Sequence, residues 1–394
     1  MSRRLVGIGL AALLAAVAIL GLDRLFGGSG RTSAGPASVS ASPTGARTPA
    51  PSTTEAEPRR LTVLMSGDVL LRETLWAQAR ADAQNAGEGG YDFRPMLAGV
   101  RSAVSGADLA ICHLETPIAR AGGPYADYPV FNVPPHIVPA LRWAGYDACT
   151  TASNHSLDQG TAGIERTLAA LDEAGIAHAG SARTAREGAR VTMLTVRGVR
   201  VALLSYTFGL NGFRRPDGSP WLVDLIEQRA ILTEAARARR EGADLVLVAL
   251  HWGVEYRNEP TAAQRTLAAA LLASPDVDLV YGHHAHVVQP FDRTHGKWVV
   301  YGLGNHLAEQ YTQPERTHEG VMARFTFTEG DGRWRVSEAA FLPTAMSLRP
   351  PFRLVDLTAA LTDDGVTGAR RTAYQRSFDR IEEIVESRGA WQSG

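Results

Sequence analysis

The sequence predicts an α/β domain built on a mixed or largely parallel sheet. Three observations lead to this class. Short apolar runs alternate with helical segments through most of the chain, hairpin-like pairs of strands follow towards the end, and polar residues able to bind metal stand just after several of the runs. With 394 residues, of which 45% are hydrophobic and 21% charged, the chain has ample material for a hydrophobic core.

The elements follow from local pattern. Helical patterns cover 135–145, 161–174, 223–241 and 261–273, and the first two are closed by Gly145 and Gly175, since glycine readily takes the left-handed conformation that ends a helix. A hairpin is predicted to turn at Gly198. Residues 374–386 could form one amphipathic helix. Strands are predicted at 61–66, 108–113, 147–151, 176–179, 191–196, 200–206, 244–250, 277–281, 298–302, 321–328 and 334–342.

The N-terminus resembles a membrane anchor. Arg3 and Arg4 precede an apolar run over 5–22, and eighteen residues of helix rise about 27 Å, close to the thickness of a bilayer core. The positive flank favours a cytoplasmic start and an extracytoplasmic domain. We therefore expect residues 1–27 to form a single-pass anchor in the cell membrane. A cleaved signal peptide, which would leave a secreted protein, is the alternative.

Composition divides the remainder of the chain. Residues 28–59 are rich in Ser, Thr, Pro and Ala, and such a segment buries too little apolar surface to offset its chain entropy, which predicts a disordered linker. The main domain is predicted over 60–345, with a C-terminal extension over 346–394. The net charge of -1 gives no general attraction to nucleic acid, and we expect no nucleic-acid partner.

The two cysteines, Cys112 and Cys149, both fall in apolar strand-like runs. We expect buried free thiols, although an even number of cysteines in an exported protein leaves a disulfide open. The sequence contains no CxxC or CxxH spacing, so a cysteine zinc site is not expected.

Side chains that can bind metal follow the predicted strands. In open α/β sheets, ligands bind in the crevice outside the carboxyl ends of the strands, and carboxylates with imidazoles suit manganese, iron or zinc. His284 and His286, two positions apart, can point the same way from an extended segment. The candidates are Asp68, Glu115, Asn154, His155, His251, His284 and His286.

Each of these residues also has an ordinary structural interpretation. Asp68 could be a turn residue, Glu115 a solvated loop carboxylate, and His251 a hydrogen-bonded core histidine. Three histidines within the five residues 282–286 are harder to explain without a ligand, and they favour a metal site.

Six motifs in order, SGDVLL, HLETPI, TASNHSLDQG, HWGVEY, GHHAHVVQP and YGLGNH, resemble those of the CapA family of poly-γ-glutamate capsule synthesis proteins. The resemblance covers about residues 61–342. The family resembles calcineurin-like metallophosphoesterases, which implies a four-layer α/β/β/α sandwich and one or two divalent metal ions. It also implies metal-binding roles for the following residues: Asp68, Glu115, Asn154, His251, His284 and His286.

The resemblance gives His155 the role of protonating a leaving group or steadying a transition state, and Asp158, three residues later, could orient its ring. Two positions depart from the phosphoesterase pattern. The first phosphoesterase motif is Asp-x-His, whereas Asp68 is followed by Val69 and Leu70, so one metal ligand is missing, and Glu115 stands where an aspartate usually bridges the metals. CapA-like sequences share both departures.

The function implied by the resemblance is the synthesis, export or anchoring of an anionic polymer such as poly-γ-glutamate at the outer face of the membrane. Metal-dependent hydrolysis or transfer on that polymer is one form of the role. Membrane synthase or export subunits are the expected partners. Two alternatives stay open, namely an extracellular metal-dependent phosphoesterase and a non-enzymatic assembly subunit.

Overall fold

The computed structural model describes residues 58–310 and 312–391. The predicted anchor over 1–27 and nearly all of the predicted linker lie outside these residues. Among the helices of the described ranges, none has both the length and the apolar character needed to cross a bilayer. The described residues belong to a single compact unit.

The strands are as follows: Arg60–Leu70 (β1), Leu109–Leu114 (β2), Ala148–Thr150 (β3), Ala177–Ala179 (β4), Thr192–Val196 (β5), Val199–Thr207 (β6), Leu245–His251 (β7), Leu279–His283 (β8), Phe291–Thr294 (β9), Lys297–Val300 (β10), Asn305–Ala308 (β11), Glu319–Gly330 (β12), Arg333–Met346 (β13) and Leu354–Asp356 (β14).

The helices are as follows: Glu73–Asn85 (α1), Arg94–Leu97 (α2), Arg101–Ser105 (α3), Ile137–Ala144 (α4), Gly160–Glu173 (α5), Ala185–Gly188 (α6), Gln228–Arg240 (α7), Ala262–Leu272 (α8), Pro314–Thr317 (α9), Leu357–Thr362 (α10) and Gly368–Glu386 (α11), with a 3-10 turn at Pro220–Leu222.

The strands form two sheets. The first has the order β14-β13-β12-β1-β2-β3-β4, with β11 paired to the end of β1, and the second has the order β5-β6-β7-β8-β10-β9. Strands β1 to β4 are parallel, as are β6, β7, β8 and β10, whereas β12 to β14 and the two outer strands β5 and β9 run antiparallel to their neighbours. The predicted α/β class with a mixed sheet is confirmed.

The core lies in three layers of side chains, because strand residues alternate between the two faces of a sheet. Between the sheets, Val63 of β1 packs in one cluster with Val201 and Leu245 of the second sheet. On the outer face of the first sheet, neighbours such as Leu64 pack with helices α1, α4 and α5. On the outer face of the second sheet, Val246 and its neighbours pack with α7 and α8. The order of layers is therefore helices, sheet, sheet, helices.

Several boundaries differ from the sequence-based ones. β1 continues four residues past 66, so Asp68 lies within a strand rather than in a loop after it. Helix α7 begins at Gln228, not at 223, because the side chain of Glu227 accepts hydrogen bonds from the first free amides of the helix. Helix α1 had no prediction, since only Leu75 and Trp76 among its buried residues are large and apolar, and both lie in its first turn, which leaves a weak hydrophobic period.

The C-terminal segment packs onto the main domain. β14 pairs with the end of β13 and so extends the first sheet. Helix α11 buries Ile381 and Val385 in the cluster between the two sheets, and Arg380 forms an ion pair with Glu319 at 2.6 Å.

The expectation of free thiols is wrong. Cys112 and Cys149 form a disulfide, with their Cα atoms 4.5 Å apart. The cause is the register of the parallel strands β2 and β3, which places the two residues directly opposite each other. That register is a tertiary property, and two residues 37 positions apart carry no local signal of it.

Candidate metal centre

The site lies where the parallel strands of both sheets end. Asp68 lies near the end of β1, Glu115 follows β2, and Asn154 follows β3 in the first sheet, while His251 ends β7 in the second. Because the two sheets pack face to face with these ends on the same side, residues from distant parts of the chain meet there. The eight predicted site residues are all brought to this edge, and their roles stay predictions.

Close contacts between backbones allow the strand ends to approach. A Cβ atom on Gly67 would lie 2.1 Å from the carbonyl oxygen of Gly304, and one on Gly282 would lie 2.0 Å from that of Tyr301. Both distances are far below van der Waals contact, so these positions exclude any side chain. The glycines therefore hold Asp68 and His283, their neighbours in the chain, against the facing segment.

Asp68 is the central carboxylate and is fully buried. One oxygen accepts a hydrogen bond from Nδ1 of His283 at 2.7 Å, and the other accepts from the backbone N–H of His284 at 3.1 Å and lies 3.4 Å from Nδ1 of His286. Burial acts to raise the pKa of this carboxyl, but the hydrogen bonds from His283 and His286 outweigh it and hold the pKa well below its usual range.

Glu115 is also completely buried, yet neither of its oxygens has a hydrogen-bond partner among the described residues. Its Oε1 lies 3.9 Å from Nε2 of both His251 and His286. Burial raises the pKa of Glu115 to about 8. For His286, burial alone would lower the pKa, but the charges of Glu115 and Asp68 raise it to about 9.

A chain of neutral groups runs from the site into the first sheet. Nε2 of His251 lies 2.8 Å from Oδ1 of Asn154, Nδ1 of His251 lies 3.0 Å from Nε2 of His113, and Nδ1 of His113 lies 2.8 Å from the hydroxyl oxygen of Thr150. Burial lowers the pKa of both histidines well below the usual value. Both imidazoles are therefore neutral, which is the form that binds metal.

His155 and Asp158, the two residues with predicted catalytic roles, lie beside this centre. Nδ1 of His155 donates to Oδ2 of Asp158 at 2.8 Å, and the same oxygen accepts from the backbone N–H of Phe131 at 2.8 Å. The side-chain amide of Asn211 lies 3.4 Å from Nε2 of His155 and accepts from Asn154 at 3.1 Å. The carboxylate thus fixes the ring of His155 and leaves Nε2 towards the site.

The segment that carries the closing histidines is bent rather than extended, so the expected extended geometry is wrong. His284 and His286 both have positive φ, 88° and 54°, a region that non-glycine residues seldom occupy and that concentrates at functional sites. Nδ1 of His286 donates to Oδ1 of Asn305 at 3.0 Å, and Asn305 in turn donates to the carbonyl of Thr317 at 2.8 Å. These contacts hold the ring in place.

The ligand atoms group into three overlapping sets, and within each set the atoms lie within 4.8 Å of one another. Ligand nitrogen and oxygen atoms lie about 2.0–2.2 Å from a bound ion, so two of them can be up to roughly 4.4 Å apart, and a small adjustment would bring each set within that limit. Glu255 is the only exposed member among these residues. The sets are Asp68, His113 and His283; Asp68, Glu115 and His286; and Glu255, His284 and His286.

Sequence reasoning missed His113, His283, Glu255 and Asn211. The first three stand inside the motifs HLETPI, GHHAHVVQP and HWGVEY, so a histidine or carboxylate within a motif was the available signal. Asn211 lies in a glycine-rich loop with no distinguishing pattern. His306, which ends the motif YGLGNH, is buried in β11, and its Nε2 lies 2.7 Å from the hydroxyl of Tyr146.

An aromatic side chain borders the centre on its solvent side. The ring of Phe208 is 51% exposed, its centroid lies 4.5 Å from that of His284, and it is nearly parallel to His251. Its backbone N–H donates to the carbonyl of His251 at 3.0 Å, so the position of the ring is tied to β7.

The sequence matches a known family. A model of the family described as "Bacterial capsule synthesis protein PGA_cap" matches residues 62–310, which is more than half of the chain and includes every residue of the candidate centre.

Curated relatives agree. The chain is 33% identical over 177 residues to "Capsule biosynthesis protein CapA" of Bacillus anthracis, covering 44% of this chain and 43% of that protein. It is 28% identical over 203 residues to "PGA biosynthesis protein CapA" of Bacillus subtilis, covering 51% and 52%. A "Probable polyglutamine synthesis accessory protein" of Mycobacterium tuberculosis is 33% identical over 212 residues, covering 50% and 55%. The chain spans about half the length of the curated relatives it matches.

Solved structures give weaker likenesses. A putative 5'-nucleotidase from Staphylococcus aureus has a TM-score of 0.46 at 14% identity, covering 82% of this chain and 58% of that one. A calcineurin-like phosphoesterase from Bacillus subtilis has a TM-score of 0.42 at 12% identity, covering 83% and 97%. At TM-scores below 0.5, these likenesses support no conclusion about the fold or the activity of this chain.

Proposed function

The chain belongs to the bacterial capsule synthesis protein family, and we propose that it serves the synthesis of an anionic surface polymer of the poly-γ-glutamate class. The family match and the names of the relatives in Bacillus anthracis and Bacillus subtilis support this process. A chemical role is supported by one observation, the cluster of carboxylate oxygens and imidazole nitrogens at the strand ends. All of its residues lie within 62–310, the range that the family model matches. The order of layers is compatible with a metallophosphoesterase-type sandwich.

The proposed place of action is the outer face of the cell membrane. Residues 5–22 are apolar and follow Arg3 and Arg4, and this pattern supports a single-pass anchor with the domain outside, or a secreted domain if the segment is cleaved. The disulfide between Cys112 and Cys149 supports the same compartment, because disulfides persist mainly in oxidising surroundings. The polymer and membrane synthase or export subunits are the proposed partners.

The atoms of the site fit a divalent cation. Both oxygens of Glu115, Nε2 of His283 and Nδ1 of His284 are buried without a hydrogen-bond partner in the described ranges, and burying unpartnered polar atoms is costly unless something binds them. Manganese, iron or zinc would suit this mixture of ligands, as one ion or two. The proposed ligands are Asp68, Glu115, Asn154, His251, His284 and His286, with His113 and His283 as additions from the structure.

A divalent ion held there would supply an activated water for hydrolysis or transfer at an amide or phosphoester bond of the polymer. The protein's own contribution is acid–base chemistry. Asp158 accepts the Nδ1 proton of His155, so Nε2 of His155 is the atom that exchanges a proton with the leaving group. Asp158 is a positioning residue, and its own orientation is held by the backbone N–H of Phe131.

A complementation experiment tests the proposal. In the bacterium that carries this gene, a deletion strain should lose surface poly-γ-glutamate, and the wild-type gene should restore it. His155→Ala and Asp68→Asn should fail to restore the polymer although immunoblots show normal amounts of the membrane-bound chain. A deletion strain with an unchanged polymer would refute the proposed process.

The same strains separate the other candidate roles. If both point variants restore the polymer fully, the chain acts as a non-enzymatic assembly subunit. If the purified full-length chain hydrolyses an aryl phosphate, and His155→Ala abolishes that activity while the polymer is unaffected by the deletion, the protein is an extracellular phosphoesterase. The pair formed by His155 and Asp158 beside the metal-binding cluster is the observation that favours testing this alternative.

A further inference from the structure

Glu255 lies beside two histidines of the metal centre, although it comes from a different loop, the one that follows β7. One of its carboxylate oxygens and one nitrogen from each of His284 and His286 lie within 4.8 Å of one another. Glu255 is exposed, whereas both histidines are buried. The carboxylate therefore lies on the solvent side of the two imidazoles.

Backbone hydrogen bonds fix the loop of Glu255 against the segment that carries the histidines. Strands β7 and β8 are parallel neighbours, so the loops that follow them begin side by side. The N–H of Trp252 donates to the carbonyl of His283 at 3.2 Å, and the N–H of Tyr256 donates to the carbonyl of Ala285 at 2.7 Å. Ala285 is the residue between the two histidines, so the second bond places Glu255 next to both.

Two side-chain amides extend this contact past Glu255. Nδ2 of Asn258 donates to the carbonyl of Val288 at 2.6 Å, and Nε2 of Gln289 donates to the carbonyl of Arg257 at 2.8 Å. The backbone is thus held on both sides of Glu255. Binding of an ion would have to order only its side chain, which keeps the entropic cost of binding small.

The backbone at this contact also has an uncommon conformation. The φ angles of Tyr256, His284 and His286 are 62°, 88° and 54°, in the left-handed region that residues with a side chain seldom occupy. Residues in such conformations concentrate at ligand sites, where the surrounding structure holds them. Here the hydrogen bonds between the two loops provide that support.

His284 has a nitrogen without a partner. The residue is only 5% exposed, and its Nδ1 is buried and forms no hydrogen bond with any described residue. The ring of Phe208 covers it, with the two centroids 4.5 Å apart. A buried polar atom is costly unless something binds it, and a cation held by His284 would supply that partner.

The proposed ligands leave room for another donor. The phosphoesterase motif Asp-x-His has a histidine where this chain has Leu70, so the centre is one ligand short of that pattern. Carboxylate oxygens bind zinc and manganese well. Glu255 can therefore restore the number of protein ligands, from a position that the phosphoesterase pattern does not use.

We propose that Glu255 is a ligand of the metal centre and closes it towards solvent, binding an ion together with His284 and His286. The other two carboxylates, Asp68 and Glu115, are fully buried, so Glu255 is the acidic ligand that can turn away while the site stays folded. Its departure would open a coordination position and a route for the ion. Glu255 therefore controls how fast metal is released. This role rests on the metal centre proposed above.

The test is a titration of the purified full-length chain with Mn²⁺, in which the EPR signal of the free ion gives the dissociation constant. Glu255→Gln keeps the size of the side chain and removes its charge, so it should raise the dissociation constant about tenfold or more. Transfer of the ion to EDTA should become faster by a similar factor, because the change acts mainly on release. Glu255→Asp, which keeps the charge on a shorter side chain, should lie between the two.

Glu259→Gln is the matched control, because it makes the same change on the same loop. Glu259 forms ion pairs with Arg265 and Arg388 and belongs to none of the three metal-capable sets. This variant should bind Mn²⁺ like wild type. Thermal melts in EDTA should show that every variant folds.

Three results would overturn the proposal. If Glu255→Gln has the dissociation constant of wild type while Asp68→Asn loses the ion, the centre stands but Glu255 is not a ligand; a residue that only activates a bound water would give this result. An equal loss of affinity in Glu259→Gln would assign the effect to net charge. If wild type binds no Mn²⁺, the centre itself fails, and the role of Glu255 fails with it.

Discussion

Replacing Asp68 by asparagine keeps the shape of the side chain and removes the charge shared by two of the three metal-capable sets. We expect this change to abolish the stabilisation of the protein by a divalent metal. In wild type, an ion present at 100 times its dissociation constant should raise the free energy of unfolding by about 2.7 kcal/mol. For a domain of this size, that gain corresponds to a rise of about 4 °C in Tm.

The substitution also has a cost that does not depend on metal. Asp68 accepts hydrogen bonds from Nδ1 of His283 and the N–H of His284, and weakening bonds to a charged acceptor costs on the order of 2 kcal/mol. The diagnostic quantity is therefore the difference between metal-loaded and chelated protein, measured by thermal unfolding of each variant with EDTA and with manganese, iron or zinc. Bound metal is counted in parallel by elemental analysis.

A matched control separates metal binding from lost structure. Asp108 accepts from the N–H of Thr62 at 2.9 Å and pairs with Arg197 at 2.7 Å, just before β2 and far from the strand ends that bear the histidines. Asp108→Asn should lower Tm but keep the metal-dependent increase. If Asp68→Asn keeps that increase as well, or if wild type shows none, the assignment of the centre is refuted.

Three other outcomes are expected. Reducing the disulfide between Cys112 and Cys149, which closes a loop with a sequence separation of 37, should lower the free energy of unfolding by about 4 kcal/mol on the chain-entropy account; urea curves that do not change with reductant would contradict this. Gly282→Ala should lower the free energy of unfolding by more than about 2 kcal/mol and impair metal binding, because its Cβ would lie 2.0 Å from the carbonyl oxygen of Tyr301. A variant with wild-type Tm and metal content would show that the backbone can shift to accommodate the methyl group. Burial raises the pKa of Asp224 from 3.8 to about 8, so the folded protein holds a proton that the unfolded chain releases, and stability should fall as the pH rises from about 4 to 8, by at most about 1.4 kcal/mol per pH unit. Asp224→Asn should flatten that slope in urea unfolding at pH 5.5 and 7.5, and an unchanged slope would assign the dependence to other groups.

Much of the fold could be predicted because the signals are local. The apolar run that begins at Leu61 and the glycines that close α4 and α5 act over a few residues, and the elements appear close to where the pattern places them. Strands β9, β11 and β14 escaped prediction because they have only 4, 4 and 3 residues. Their stability comes from the partner they pack against, not from their own sequence.

The site residues also differ in whether a local signal predicts them. Asp68 and His251 could be predicted because a polar residue after a buried run stands at a strand end. His113 could not, since whether it faces the centre depends on the register between β1 and β2, which shifts between Met65 and Asp68 and sets Asp68 opposite His113. A shift of one residue would turn its side chain to the other face of the sheet.

The sequence by itself determined the residue types available, the alternation of strands and helices, and the placement of acids, amides and imidazoles at strand ends. Only the tertiary structure decided which of those groups meet. It paired Cys112 with Cys149, brought His113 and His283 to Asp68, and left the oxygens of Glu115 unpartnered. The physical reason is that local pattern is set by interactions over a few residues. Contact between strand ends depends on register and on the packing of two sheets, which arise only when distant parts of the chain are buried together.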